Sequence, residues 1–270
     1  DLTTQYFKVK NEKTGKYLQD SVVKKIFPPC PITNDYILFA RLRPKIVTIA
    51  PGEEISISAK MSLHIAEEDG SFNVASTCAY KFTPDKIKQD EAWQLKSSQL
   101  SSEEKTNELV KQNWYNNEGL RYYKKDSFEF ALESVGVFPN EYLVWKACEV
   151  INDKLAKIAT EAMTGETIPC EKSVSTIKNS IDITLDKTGY TIGKMLEFML
   201  HENYYKGKKA RLLSYVGFRK NHPHDEHCII RIGFIEEIEE NPLEVAAKNL
   251  IKEACDDLIL ILNEIKSEFV

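Results

Sequence analysis

Residues 181–201, Ile-Asp-Ile-Thr-Leu-Asp-Lys-Thr-Gly-Tyr-Thr-Ile-Gly-Lys-Met-Leu-Glu-Phe-Met-Leu-His, contain two different periodicities. Up to Leu185 the apolar positions alternate. Ile181, Ile183 and Leu185 fall on one face and Asp182, Thr184 and Asp186 on the other, which is the pattern of a half-buried strand. Asp186-Lys187-Thr188-Gly189 interrupts it with turn residues. Beyond the turn, Ile192, Met195, Leu196, Met199 and Leu200 recur at helical spacing, predicting a helix over 191–203 with one apolar stripe. Thr191 is placed to cap that helix, and Gly193 in its first turn leaves room for another backbone. The stretch reads strand, tight turn, helix.

A ferredoxin-like αβ unit with a buried helix accounts for this much. The residues that follow narrow the reading: Leu213-Ser214-Tyr215-Val216-Gly217-Phe218, then His222-Pro223, then Cys228-Ile229-Ile230-Arg231-Ile232. In this order they resemble the eleventh subunit of eukaryotic RNA polymerase II and its archaeal L counterpart. That family shows a strand, a His-Thr-Leu-Gly-Asn helix start, a strand ending Gly-Tyr, a Pro-His-Pro turn and an Ile-Arg-Ile strand. Here the helix start is Tyr190-Thr191-Ile192-Gly193-Lys194, and the turn is Asn221-His222-Pro223. The resemblance covers roughly residues 177–270.

Length and composition set the frame. A chain of 270 residues has room for two or three small domains, and 42% hydrophobic with 29% charged residues indicates a soluble globular protein. Apolar runs such as Leu258 to Leu262 fall far short of the roughly 20 residues of a membrane helix. No secretory signal opens the chain, and its start at Asp1 suggests a fragment or processed product. A net charge of −5 argues against broad attraction to phosphates. The basic cluster Lys206, Lys208, Lys209 and Arg211 reads as a solvated loop flank. Six scattered cysteines with no C-x-x-C pair give neither a disulfide framework nor a zinc knuckle, so a reducing intracellular compartment is expected.

Ahead of that segment, strands are expected at Gln5–Val9, Tyr36–Leu42, Ile46–Ile49, Glu54–Met61 and Asn73–Phe82, punctuated by Pro and Gly. Asp35-Tyr36-Ile37-Leu38, Arg41-Leu42-Arg43-Pro44, Pro51-Gly52-Glu53-Glu54-Ile55 and Phe72-Asn73-Val74-Ala75-Ser76-Thr77 resemble the inserted β domain of the third polymerase II subunit. The archaeal D subunit and the bacterial alpha N-terminal domain carry the same insert. Residues 84–125 are polar, with a capping box at Ser101-x-x-Glu104 leading to Leu109, Val110 and Trp114. Asp126–Glu133 alternates as a strand. Pro139 then opens a helix whose stripe is Val144, Ala147, Cys148, Ile151, Leu155 and Ile158. Residues 161–176 read as a linker, and Pro242 begins a last helix with a stripe from Leu243 to Ile265.

The expected fold is α+β, with an inserted antiparallel β domain and two alpha-subunit-type, ferredoxin-like dimerization units paired within one chain. Its divisions are 1–125 (β domain with a helical excursion), 126–160 (the end of the first dimerization domain), 161–176 (linker) and 177–270 (the eleventh-subunit-like domain). The resemblance implies that the third subunit's first strand and helix would precede Asp1.

The strongest candidate for chemistry is His222-Pro223-His224-Asp225-Glu226-His227. Three histidines and two carboxylates could ligate a divalent metal, but the run sits between strands and Pro223 restricts its ligand directions. In the resembled family this His-Pro belongs to a structural turn. Phosphate-loop, dinucleotide and hydrolase-elbow motifs are absent.

The resemblance implies a non-catalytic assembly subunit of DNA-directed RNA polymerase, a fusion of third-like and eleventh-like subunits in the manner of large nucleocytoplasmic DNA viruses. Its partners would be the second-largest and largest subunits and small zinc-binding subunits, with no sequence-specific DNA contact and no membrane. Zinc and magnesium would lie in those partners, with no cofactor on this chain. The location would be the virion and host cytoplasm, or alternatively the nucleus. The joint between halves is expected where the helix of Val144, Cys148, Ile151 and Leu155 meets the helix of Ile192, Gly193, Met195, Leu196, Met199 and Leu200. Gly217 and His222 would complete that packing set, and Glu197 should tolerate substitution. Two other readings stand beside this one: a ferredoxin-like module regulated by a small ligand, and a metal-dependent hydrolase using His222, His224 and His227.

Overall fold

Ile181, Ile183 and Leu185 form a strand, which lies inside an antiparallel sheet in the computed structural model of the chain. The structure describes residues 1–47, 49, 51–164 and 168–269. Among them the architecture is α+β, with helices and small antiparallel sheets. The chain divides into two compact units, Asp1–Leu63 and His64–Val270.

The first unit has little regular structure. Strand β1 (Leu2–Thr3) pairs with β2 (Leu38–Ala40), and a short helix α1 (Asp20–Ile26) lies between them in sequence. Phe7 meets Phe27 and Phe39 edge-on at 5.5 and 5.2 Å, and Val23 is buried. The turn at Asn11–Gly15 is as expected: the Asn11 side chain accepts from the Lys13 and Thr14 amides, and Gly15 takes a positive φ of 66°. The expected strands Gln5–Val9 and Glu54–Met61 do not form. Residues 51–65 carry no regular structure, and Ile57, Met61 and Leu63 face solvent. Alternation makes a segment able to pair, but a strand exists only beside a neighbour that takes up its amides and carbonyls. Thr48, within the expected Ile46–Ile49 strand, lies outside the described residues.

In the second unit β3 (Ala75–Pro84) pairs antiparallel with β4 (Tyr123–Ser134), setting Tyr80 opposite Phe130 and Phe82 opposite Phe128. The boundary expected at 125/126 therefore falls inside β4. Three helices, α2 (Lys86–Ser98), α3 (Ser102–Thr106) and α4 (Glu108–Asn116), occupy the connection. The Ser101/Glu104 capping box is formed. Trp114 is buried against Trp93 at 5.5 Å, and Gln89 Nε2 donates to the Gly119 carbonyl at 2.9 Å.

Helix α5 (Asn140–Thr164) runs further than the stripe predicted, into the expected linker. Residues 165–167 of that linker lie outside the described residues. A four-stranded sheet follows, made of β5 (Cys170–Lys172), β6 (Ser180–Leu185), β7 (Leu213–Arg219) and β8 (Cys228–Phe234) in the order β5-β6-β8-β7. Ile181 lies opposite Ile232, Ile183 opposite Ile230, and Val216 opposite Ile232 from the other side. Helix α6 (Tyr190–Leu200) packs on this sheet, and α7 (Glu240–Ser267) closes the chain. Ile183, Leu196, Leu200, Ile230 and Ile232 are fully buried in one core.

The polar face of that sheet is held by one cross-strand pair. Arg231 donates to both oxygens of Asp182 at 2.6 and 2.7 Å, and this holds the Asp182 carboxyl below its ordinary range. Proteolysis should track these differences in order. Limited trypsin and Glu-specific digestion, read by mass spectrometry, should cut within 51–63 before the helical connection 85–121. First cuts inside 85–121 would show that the excursion, and not residues 51–63, is the weak segment.

Candidate functional site

The longest helix–helix contact in the second unit joins α5 to α7. The two run antiparallel. Asn152 Nδ2 donates to Asn263 Oδ1 at 2.9 Å, while Lys266 Nζ lies 3.4 Å from Glu149 Oε1 and 4.3 Å from the Trp145 ring centroid. Cys148, Leu155, Ile158, Ala159 and Ala162 are buried on α5, as are Ala254, Cys255, Leu258 and Leu262 on α7. The predicted partner was α6; the observed one is α7. Helix α6 is short, and its own sheet and α7 take up its stripe, so little is left to face α5. The stripe of α7 is more than twice as long and serves two neighbours, the sheet unit at its N-terminal half and α5 beyond.

The residues expected at the joint divide accordingly. Cys148 and Leu155 are buried on the α5–α7 seam, with Ile151 partly buried against the same core and Val144 half-exposed. Ile192, Leu196, Met199 and Leu200 are buried and Met195 partly so, but they anchor α6 in its own half. His222 is exposed. Its amide donates to Asp225 at 2.9 Å, and its ring accepts from the His224 amide at 3.2 Å, so it organises a turn. Among the described residues no three His, Cys, Asp or Glu side chains are grouped to hold a metal ion.

Gly193 and Gly217 make room for rings, where for Gly193 the sequence suggested backbone. A Cβ at Gly193 would lie 2.1 Å from Phe218 Cε2, and one at Gly217 would lie 2.4 Å from the Tyr215 hydroxyl. Thr191 sits inside the first turn and does not cap it; Gly189 holds the N-cap position without a side-chain bond. Glu197 also differs from expectation. Its Oε1 accepts from the Phe218 amide at 3.0 Å, and its Oε2 pairs with Lys194 at 2.5 Å. It thus ties α6 to β7, the last strand of the sheet, and occupies an amide that would otherwise be free.

At the end of α6, residues His201–Tyr205 form a π-helical turn fastened to α7. The Tyr204 hydroxyl donates to Glu253, and Asn203 Nδ2 donates to Asp257 at 2.8 Å. Burial, then the Glu253 carboxylate, push the Tyr204 phenol upward. Three of the four clustered cations are paired here: Lys206 and Lys208 with Glu202 at 2.6 and 2.9 Å, and Lys209 with Asp257 at 2.6 Å. Hydrogen bonds from the two lysines lower Glu202 from an ordinary 4.5 to about 2. Sequence reasoning missed this fastening because its donors and acceptors are some 50 residues apart. Burial also raises the Cys228 and Cys255 thiols, to about 11 and about 12.

No family model matches the chain, and no curated protein matches it. No helix among the described residues is long and apolar enough to cross a membrane.

Two measurements test this geometry. Gly193→Ala should destabilise the chain by about 1–3 kcal/mol despite alanine's better helix propensity, because a methyl there overpacks against Phe218. Phe218→Leu in the same chain should recover part of the loss, and strict additivity in denaturant titrations would exclude the contact. Because Glu202 is lowered on folding, its stabilisation is complete above its unfolded value of 4.5 and fades as pH falls toward 2. The Tm gap between the parent and Glu202→Gln should therefore shrink from pH 6 to pH 2.5; a constant gap would remove the lysine pairing from the account.

Proposed function

We propose that the chain is a non-catalytic assembly subunit of DNA-directed RNA polymerase, with third-subunit-like and eleventh-subunit-like halves in one polypeptide. The observation that carries the reading is the α5–α7 seam. A helix following one antiparallel sheet lies along a helix following another, within one chain. Scaffolding needs that kind of rigid joint, with each half held at a fixed angle to the other. The order strand, helix, strand, His-Pro turn, strand, helix over 180–267 also agrees with the resemblance described above.

In this reading the second-largest and then the largest subunit assemble on the surfaces that the seam holds in place. Nucleotidyl transfer, with its magnesium, resides in those large subunits, and zinc resides in small partner subunits. The inserted β domain of the third-like half lies within residues 1–125, and the protein works inside the cell, in the cytoplasm and virion of a large DNA virus or alternatively in the nucleus.

Co-expression of the chain with the two large polymerase subunits of its source tests the proposal. One assembly containing all three chains is expected on gel filtration, with polymerase activity lost when this chain is omitted. Large subunits that assemble and transcribe equally well without it would end the proposal. The chain by itself should neither polymerise nor hydrolyse nucleotides.

A further inference from the structure

The first unit differs in charge from the rest of the chain. Residues 1–63 carry ten lysines and arginines against six aspartates and glutamates, whereas the remaining residues carry 26 against 35. Six of those ten cations are lysines between Lys8 and Lys25, a stretch whose acids are Glu12 and Asp20. The ion pairs described in this unit, Asp1–Arg41, Glu53–Arg43 and Glu12–Lys60, leave the six lysines out and occupy Glu12. Exposed charges are screened beyond about 10 Å at ordinary salt. A partner at this surface therefore meets the local cationic excess and not the net charge of −5.

A chain reversal arranges part of that charge. The Leu18 amide donates to the Val9 carbonyl and the Asn11 amide to the Lys16 carbonyl, each at 2.8 Å. Lys10 and Tyr17 are thereby directly opposed as a non-hydrogen-bonded antiparallel pair. The side chains of such a pair stand close together on one face, and alternation along the chain adds Lys8 to it. Phe7, Val9 and Leu18 take the other face and are partly buried, with Phe7 against Phe27 and Phe39. Lys8 and Lys10 are exposed, and so are the rings of Tyr17 and Tyr6, at 66% and 65%. Lys13 stands in the turn, which the Asn11 side chain holds closed. Cations and open rings thus alternate along a short ribbon whose apolar side is anchored.

We infer that this face, formed by Tyr6, Lys8, Lys10, Lys13 and Tyr17, binds single-stranded nucleic acid without regard to sequence. The three ammonium groups meet successive phosphates, and the two phenol rings offer flat surfaces on which unpaired bases stack. A duplex satisfies the lysines but keeps its base faces stacked inside, so it leaves the rings unused. An acidic peptide supplies charge without bases to stack. Lysine is a mobile point charge and a ring face accepts any base, so the face attracts a strand but does not read it. The site lies wholly within the first unit, and it stands or falls apart from the transcription reading.

The probes are fluorescein-labelled oligo-dT and oligo-U of about 20 nucleotides, titrated with the full 270-residue chain and read by anisotropy. A dissociation constant on the order of 10 µM is expected at about 50 mM salt, weakening about 20-fold by about 200 mM as three phosphate contacts are lost to counterions. The double variant Lys8→Gln/Lys10→Gln should flatten that salt dependence to about threefold. Tyr17→Ala should weaken binding about fivefold or more at unchanged salt dependence, and Tyr17→Phe should restore it. Lys111→Gln, in the second unit, should bind as the parent does. All these side chains are exposed, so each variant should keep the parent's Tm. Tighter binding of oligo-U or of oligo-dT would assign the strand to RNA or to DNA within the inference. An absence of saturable binding to either strand below about 500 µM would overturn it, and so would a Tyr17→Ala chain that binds like the parent. A duplex of the same length bound as tightly as the single strand would reduce the face to phosphate attraction and overturn it equally. Polyglutamate bound with the same dependence on Tyr17 would assign the face to an acidic polypeptide instead. No polymerase subunit enters the assay, so its outcome is separate from that of the assembly experiment.

Discussion

The antiparallel contact of α5 and α7 is the constraint on which the second unit depends. Each buried aliphatic side chain along the seam contributes on the order of 1.5–3 kcal/mol, against about 0–1 kcal/mol for an exposed ion pair. Leu155, Ile158, Leu258 and Leu262 therefore outweigh the Lys266–Glu149 bridge at its end. Polar groups act on register more than on strength. The Asn152–Asn263 amide contact fits one alignment of the two helices, and sliding either by a turn would separate the pair.

Helix α7 is both a seam and a lid. Its buried residues begin at Leu243 over the sheet unit and continue to Leu262 against α5, so a single helix serves both contacts. The lid is secured by the π-helical turn after α6. A π turn widens the helix locally, and here it aims Asn203 and Tyr204 at Asp257 and Glu253. Gly193 and Glu197 set the other end of α6, one by admitting the Phe218 ring and the other by holding the Phe218 amide.

Much of the second unit was legible from residue pattern. The change of period at Asp186–Gly189 placed β6 and α6, and Cys228-Ile229-Ile230-Arg231-Ile232 and Pro242 placed β8 and α7 within a residue or two. Ser101-x-x-Glu104 announced its helix start because a capping box is a local arrangement. What the pattern did not carry was partner choice. The stripes of α5, α6 and α7 each demand burial, yet nothing in a stripe says which other stripe will meet it. The first unit shows the converse failure. Glu54–Met61 alternates as a strand should, but alternation is silent about whether a neighbouring strand is available. The packing set was half legible for the same reason: Cys148 and Leu155 are at the seam, Leu196 and Leu200 are in a different part of the core, and His222 is outside it.

The connections between the paired strands carry a lesson about where such a chain can grow. Between β7 and β8 the chain needs only residues 220–227 to reverse direction, whereas between β3 and β4 it spends residues 85–122 on three helices with an aromatic centre of their own. Both routes return to an antiparallel ladder. The end of a ribbon is a register-neutral point, since the ladder fixes the two exits and is indifferent to the path between them. That path can thus be lengthened, shortened or replaced, and new surface added at the ribbon tip, without disturbing the core.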